Sequence, residues 1–317
     1  MLLLAFLNSS CSEKEQSKTL RLAHGLDVNH SVHIAMVKMG EELDRLSKGK
    51  LTIQIYPNQQ LGSERELLEL VQLGSIDMTK SSAAVVESFS PEYKVFGIPY
   101  LFTTDEHRLK VLNGEIGQRI LNSSTDYNLR GLSYYDSGKR SFYTKDRLVE
   151  KPSDLKGLKI RVQQSNTAIQ MVNSYEASAT PIAFGELYSA LQQGVVDGAE
   201  NNPPSFYLTR HYEVCRYYIL NEHTAIPDIL VISEITWKEL NEQERAWVKE
   251  AADVSRKLQF ELWEISEQES LDAVKAAGVE VIYPDKEPFK EASKELIERL
   301  TEDPLVRELY LQIQDLE

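Results

Sequence analysis

From Asn241 to Ala277 the chain runs for 37 residues with neither glycine nor proline, and Gly278 ends the run. At about 1.5 Å per residue a helix of that length reaches roughly 55 Å, more than the width of one small lobe. Asn241 and Glu244 have the spacing of a capping box, in which side-chain oxygens satisfy the exposed backbone donors of the first turn. The sequence therefore predicts one rod that spans two lobes, or else two ordinary helices that meet near Trp263. At 317 residues the chain also exceeds the ~100–200 residues of a single domain, which favours two lobes.

Ahead of that run, strand and helix patterns alternate. TLRLAHG reads as a strand, HSVHIAMVKMGEELDRLSKG as an amphipathic helix entered at Asn29 or His30 and closed by Gly49, and KLTIQIYP as the next strand. GSERELLELVQLGS carries a second capping box, Ser63 with Glu66, and stops at Gly74; SIDMTKSS follows as a strand. This alternation predicts an α/β fold with a sheet that leans parallel. GLSYYD, SFYTK, GLKIRV, SNTAIQMVNSYEA, ATPI, FGELYSALQQG and VVDGAEN repeat the pattern, so two α/β units lie in series.

Charge and motifs narrow the function. Thirty-five basic against 49 acidic residues give a formal charge of −14, and no basic run interleaved with aromatics occurs, which excludes nucleic acid as a partner. A protein this negative that holds an anion needs a few cations gathered in one cleft. KGLKIRVQQS offers one: Leu158, Ile160 and Val162 alternate with Lys159, Arg161 and Gln163, so the two-residue period turns Arg161 away from the core. On that pattern alone Arg161 reads equally well as a solvated surface charge. No internal apolar run approaches the ~18–20 residues of a membrane span. Phosphate-loop, dinucleotide-binding, H-E-x-x-H and G-x-S-x-G motifs are all missing. His30 and His33, with Asp27 nearby, have a spacing at which two imidazoles can share a cation. Without further clustered ligands they read better as capping and packing residues, and no metal or cofactor is expected.

The first seven residues, MLLLAFL, are apolar; NSSC and a polar, charged stretch follow. This is similar to a bacterial lipoprotein signal and tether over residues 1–17 with Cys11 as the lipidated residue, although no Lys or Arg precedes Cys11. Cys215, the only other cysteine, then has no partner and is expected to be a buried, inert thiol. An extracytoplasmic protein attached to the membrane by a lipid follows from that reading.

PSDLKGLKIRV, then ATPIAFGELYSALQQGVVDGAENN at 179–202, closely resemble the solute-binding subunit of tripartite ATP-independent periplasmic (TRAP) transporters; YPNQQLGSERELLELVQLGSIDM and VFGIPYLF match the same family in the expected order. The resemblance covers essentially the whole chain after the tether. It implies an α/β, two-lobed periplasmic-binding-protein-like fold with the long helix spanning both lobes, divided as 18–138 plus 227–266 and 139–226 plus 267–317.

The resemblance also implies site residues. Arg161 stands where the family's arginine forms a two-pronged salt bridge with the ligand's carboxylate, and a planar guanidinium supplies the parallel donors that lysine lacks. Asn201 matches a ligand-contacting asparagine and follows Glu200 in the same EN motif, with Asn202 interposed before Pro203. Arg140 matches a second basic position that faces the cleft, a surface role being its alternative. Phe184 matches an aromatic position that lines the site, with a core role as its alternative. His30, Tyr134, Tyr135, His223 and Asp228 are further cleft candidates. Ser82 stands where some sialic-acid-binding members resemble a glutamate, so that ligand is not carried over.

The function implied is that of a non-enzymatic, monomeric binding protein that passes a carboxylate, favoured as a hexuronate such as glucuronate or galacturonate, to TRAP membrane subunits. A C4-dicarboxylate or other sugar acid, a sensor role beside a receptor kinase, and an enzyme acting on acidic sugars are the alternatives. The absence of any catalytic constellation weighs against the last.

Overall fold

In the computed structural model residues 17–316 are described; Cys11 and the rest of the expected signal lie outside them. The first unit runs β1 (Lys18–Ala23), α1 (Ser31–Ser47), β2 (Leu51–Tyr56), α2 (Glu64–Gln72), β3 (Met78–Ser82), α3 (Ala83–Val86), α4 (Asp105–Asn113), α5 (Glu115–Ser123) and β4 (Leu129–Tyr135). The second runs β5 (Arg140–Thr144), β6 (Lys159–Val162), α6 (Asn166–Ser174), β7 (Ser178–Pro181), α7 (Leu187–Gln192), β8 (Gly198–Asn201), α8 (Pro203–Leu208) and β9 (Tyr217–Thr224). The chain closes with β10 (Asp228–Ser233), α9 (Glu234–Glu239), α10 (Glu242–Ala276), β11 (Glu280–Ile282), α11 (Glu287–Leu300) and α12 (Pro304–Gln314).

These strands form two sheets. The first has the order β2-β1-β3-β10-β4, with β1, β2 and β3 parallel and β10 antiparallel to both neighbours. The second has the order β11-β9-β5-β8-β6-β7, in which β6, β7 and β8 are parallel and β5 runs against β8 and β9. The chain crosses between the sheets twice through strands, from β4 to β5 over residues 136–139 and from β9 to β10 over 225–227.

Helix α10 is one piece of 35 residues, about 52 Å long, with no break at Trp263. Its capping box is formed: Asn241 Oδ1 accepts from the Glu244 amide at 3.0 Å, and Glu244 Oε2 accepts from the Asn241 amide at 2.8 Å. Val248, Ala251 and Ala252 pack into the core between α1 and the first sheet, whereas Val274 packs with Tyr218 and Val279 beside the second. Between those anchors α10 grips the first crossing. Gln259 accepts from the Asp136 amide at 2.7 Å and donates to the Asp136 carbonyl at 2.8 Å. Two residues on, Gly138 has φ +58°, and a Cβ there would stand 2.9 Å from both Trp263 Nε1 and Glu267 Oε1. Only glycine fits that passage comfortably.

The expected division keeps 267–317 with the second lobe, and α12 departs from it. Its apolar face, Val306, Leu309 and Ile313, joins Val111, Leu112 and Ile120 in the first lobe's core, and His107 Nε2 meets the Ile313 carbonyl at 2.9 Å. The chain therefore returns to the first lobe after α11, whose Phe289 and Leu296 belong to the second lobe's core. Cys215 lies buried just ahead of β9 rather than inside a strand, and burial pushes its thiol pKa up, as suits an inert residue.

Candidate functional site

A cavity opens between the two sheets, with about 610 Å3 of empty space counted with its mouth to solvent. The second sheet supplies Arg140, Arg161 and Asn201; the first supplies Lys80 and Asp228, with Glu64 from the start of α2.

On β6, Ile160 and Val162 face a core with Leu158, Met171 and Phe289, so strand alternation turns Arg161 to the other side. That side is the cleft, and there Arg161 is 2 % exposed. Nε donates to the Ile182 carbonyl at 2.9 Å, and the guanidinium carbon lies 5.8 Å from the centroid of the Phe184 ring. Nη1 is buried without a hydrogen-bond partner, and no described carboxylate forms an ion pair with the group. Burial holds its pKa below the ordinary value, against the pull of Tyr143 and Glu200. A buried cation with an unused donor has the chemistry of an anion site.

Arg140 on β5 differs. Its Nη2 donates to Glu200 Oε1 and to the Glu200 carbonyl, both at 2.8 Å, its Nε donates to the same carboxylate, and Nη1 donates to Asn201 Oδ1 at 2.9 Å. Burial alone would raise the Glu200 pKa, but the Arg140 charge, the neighbouring His223 ring and the Arg140 hydrogen bonds hold it down at about 2. His223 stacks on Phe142 at 4.4 Å and lies 3.6 Å from Glu200. Glu200 and His223 therefore stand behind Arg140 and do not line the cavity. Through Arg140 they fix Asn201, whose Oδ1 also accepts from the Asn202 amide at 2.9 Å. Asn201 Nδ2 makes no hydrogen bond among the described residues and remains available as a donor.

The first lobe's wall carries a buried cation of its own. Lys80, 3 % exposed, donates to Glu64 Oε1 at 2.7 Å and lies 3.1 Å from Asp228 Oδ2. Burial opposes its charge, but the two carboxylates outweigh burial and raise its pKa. Burial, with help from Glu64, raises that of Asp228. His30 caps α1, its Nδ1 accepting from the Val32 amide at 3.2 Å, and burial followed by the Lys80 charge lowers its pKa to about 3. A neutral imidazole thus lines the cleft at neutral pH. His33 bonds to His24 at 2.9 Å rather than sharing a cation with His30.

Arg161, Asn201, Arg140, Phe184, His30 and Asp228 all line the cavity. Tyr134 and Tyr135 are corrections, because the first sheet has a core on each face. Tyr134 packs with Phe96 and donates to the Gly117 carbonyl at 2.8 Å, and Tyr135 points the other way, within bonding distance of Ser255 at 2.7 Å. Sequence reasoning missed Lys80 and Glu64, together with Gln163 and Gln164 after β6. Lys80 carried the same signal as Arg161, a cation inside a strand of apolar and small residues, MTKSS.

Comparison with known proteins identifies the family. Residues 22–303 match the family model described as bacterial extracellular solute-binding protein, family 7. The protein YiiZ of Salmonella typhimurium is 39% identical over 98% of this chain and 95% of its own length. A TRAP periplasmic solute-binding protein from Bradyrhizobium sp. BTAi1, in complex with α/β-D-galacturonate, superposes with a TM-score of 0.92 at 38% identity, covering 94% of this chain and 100% of that one. Its counterpart from Anaerococcus prevotii, with bound α/β-D-glucuronate, gives a TM-score of 0.92 at 36% identity, covering 95% and 98%. The chain belongs to family 7 of the bacterial extracellular solute-binding proteins and is a TRAP-type binding protein, not an enzyme.

Proposed function

We propose that this protein captures a hexuronate, D-glucuronate or D-galacturonate, between its lobes and hands it to the membrane subunits of a TRAP transporter. The observation that carries the reading is Arg161, a buried guanidinium that no carboxylate among the described residues pairs with. The ligand's carboxylate takes that place, with the Phe184 ring against the guanidinium and Asn201 Nδ2 donating beside it. Glutamines 163 and 164 suit a ring rich in hydroxyls, since each amide both donates and accepts. Relatives solved with galacturonate and glucuronate support the choice of acid.

Closure follows only if the ligand makes better contacts with both walls together than with one. A dissociation constant near 1 μM corresponds to roughly −8 kcal/mol, attainable from one enclosed ion pair and several hydrogen bonds after closure costs. Tighter binding would slow release to the membrane partner. On the same reading the protein works as a monomer tethered through lipidated Cys11. Cys11→Ala should then leave the membrane fraction without losing affinity.

Titration calorimetry of the protein, freed of any co-purified ligand by unfolding and refolding, tests the assignment. Micromolar binding of either uronate, and much weaker binding of succinate, is expected. Succinate binding without uronate binding would overturn it.

A further inference from the structure

We infer that Glu64, Lys80 and Asp228 form a charge filter that admits acids with one carboxylate and turns away acids with two. The inference rests on the reading that Arg161 holds a ligand carboxylate.

The argument begins with charge. Arg140 is cancelled by Glu200, so that pair contributes nothing. On the second lobe's wall Arg161 leaves one positive charge uncompensated. On the first lobe's wall one lysine serves two carboxylates, 2.7 and 3.1 Å away, which leaves one negative charge in excess. Both walls line one cavity. A ligand carboxylate seated on Arg161 neutralises the second lobe's wall and leaves the rest of the ligand against the net-negative wall of the first lobe.

The hydrogen-bonding capacity agrees with the charge. Ionised carboxylates only accept, and Asp228 Oδ1 makes no hydrogen bond among the described residues while Oδ2 faces Lys80. Glu64 Oε1 is taken by Lys80, and among the described residues Oε2 meets only the Ser82 amide, at a long 3.4 Å. These spare lone pairs fit hydroxyl protons and have nothing to offer a second carboxylate, which brings no proton and repels both neighbours. Lys80 would have to abandon Glu64 or Asp228 to receive it, leaving a buried carboxylate unpaired. Like charges placed together inside an enclosed site reduce affinity by roughly 100-fold or more.

The test uses acids matched in length. The affinity of the full protein is measured for D-gluconate against D-glucarate and for succinamate against succinate, with D-glucuronate as a separate probe of the uronate reading. The one-carboxylate member of each pair should bind at least about 100-fold tighter. In Glu64→Gln and in Asp228→Asn the glucarate affinity should rise in absolute terms, and the gluconate preference should shrink by about tenfold or more. Glucarate or succinate binding within about threefold of its partner to the unaltered protein overturns the filter without recourse to any variant. Equal loss of both acids in the two variants also overturns it, because the carboxylates would then act only as hydroxyl acceptors. If glucuronate fails while gluconate and succinamate still outbind their partners, the uronate assignment falls and the filter stands.

Discussion

Arg140 and Arg161 sit on strands that flank β8 in one sheet and are 4 % and 2 % exposed, yet the two guanidiniums have opposite occupations. Arg140 spends its fork inside the protein, on Glu200 and Asn201. Among the described residues Arg161 spends only Nε, on a backbone carbonyl. Burial does not separate a structural cation from one that awaits a ligand. The count of partners does, because a buried donor left unmatched is a cost that only an incoming anion removes.

Removing each arginine should therefore break different properties. Arg140→Ala strands Glu200 as an unpaired buried carboxylate and should cost about 3–5 kcal/mol of folding stability, read from urea unfolding of the ligand-free protein. Arg161→Ala should cost about 2–5 kcal/mol in uronate binding, roughly 30- to several-thousand-fold in Kd, while the ligand-free protein unfolds at the same urea concentration or higher. A destabilised, binding-competent Arg161→Ala protein would erase the contrast. Arg161→Lys sharpens it: the charge remains but the fork does not, so calorimetry should recover less than a tenth of the lost affinity.

The smallest effect is in acid. Glu200 titrates at about 2 in the folded protein, below the ordinary 4.5, so its contribution to stability is complete above the ordinary value and is lost as pH falls through about 2. Comparing unfolding of the protein and of Glu200→Gln between pH 2 and 6 should show that component of the acid dependence only in the former. A Glu200→Gln protein with an unchanged acid profile would remove Glu200 as the partner that matters.

Much of this is legible in the chain alone. The capping boxes at Ser63/Glu66 and Asn241/Glu244 are local rules of spacing, and both are formed. The two-residue period on β6 put Arg161 opposite Ile160 and Val162, which holds, although the side it faces is an enclosed cleft rather than bulk water. What could not be read was pairing across distance. Glu200 lies 60 residues beyond Arg140, and Lys80 reaches Asp228 across β3 and β10, which are neighbours only because the chain returns to the first sheet after building the second. Period also failed at Tyr134, where a sheet covered on both faces gives each side of the strand a core, so parity carries no information about the cleft.

Helix α10 is built like a leaf spring clamped at both ends. One end is fixed in each lobe, Gln259 holds the strand crossing from the middle, and the 35 residues contain no glycine or proline at which bending could concentrate. Any rotation of one lobe against the other must be spread along the rod as a shallow curve or taken up by sliding at a clamp. Motion of that kind is graded and elastic, with a restoring force that grows with angle. The lobes would relax back from a strained position without a trigger of their own, so the time a ligand stays enclosed would be set by how firmly its contacts hold against the spring.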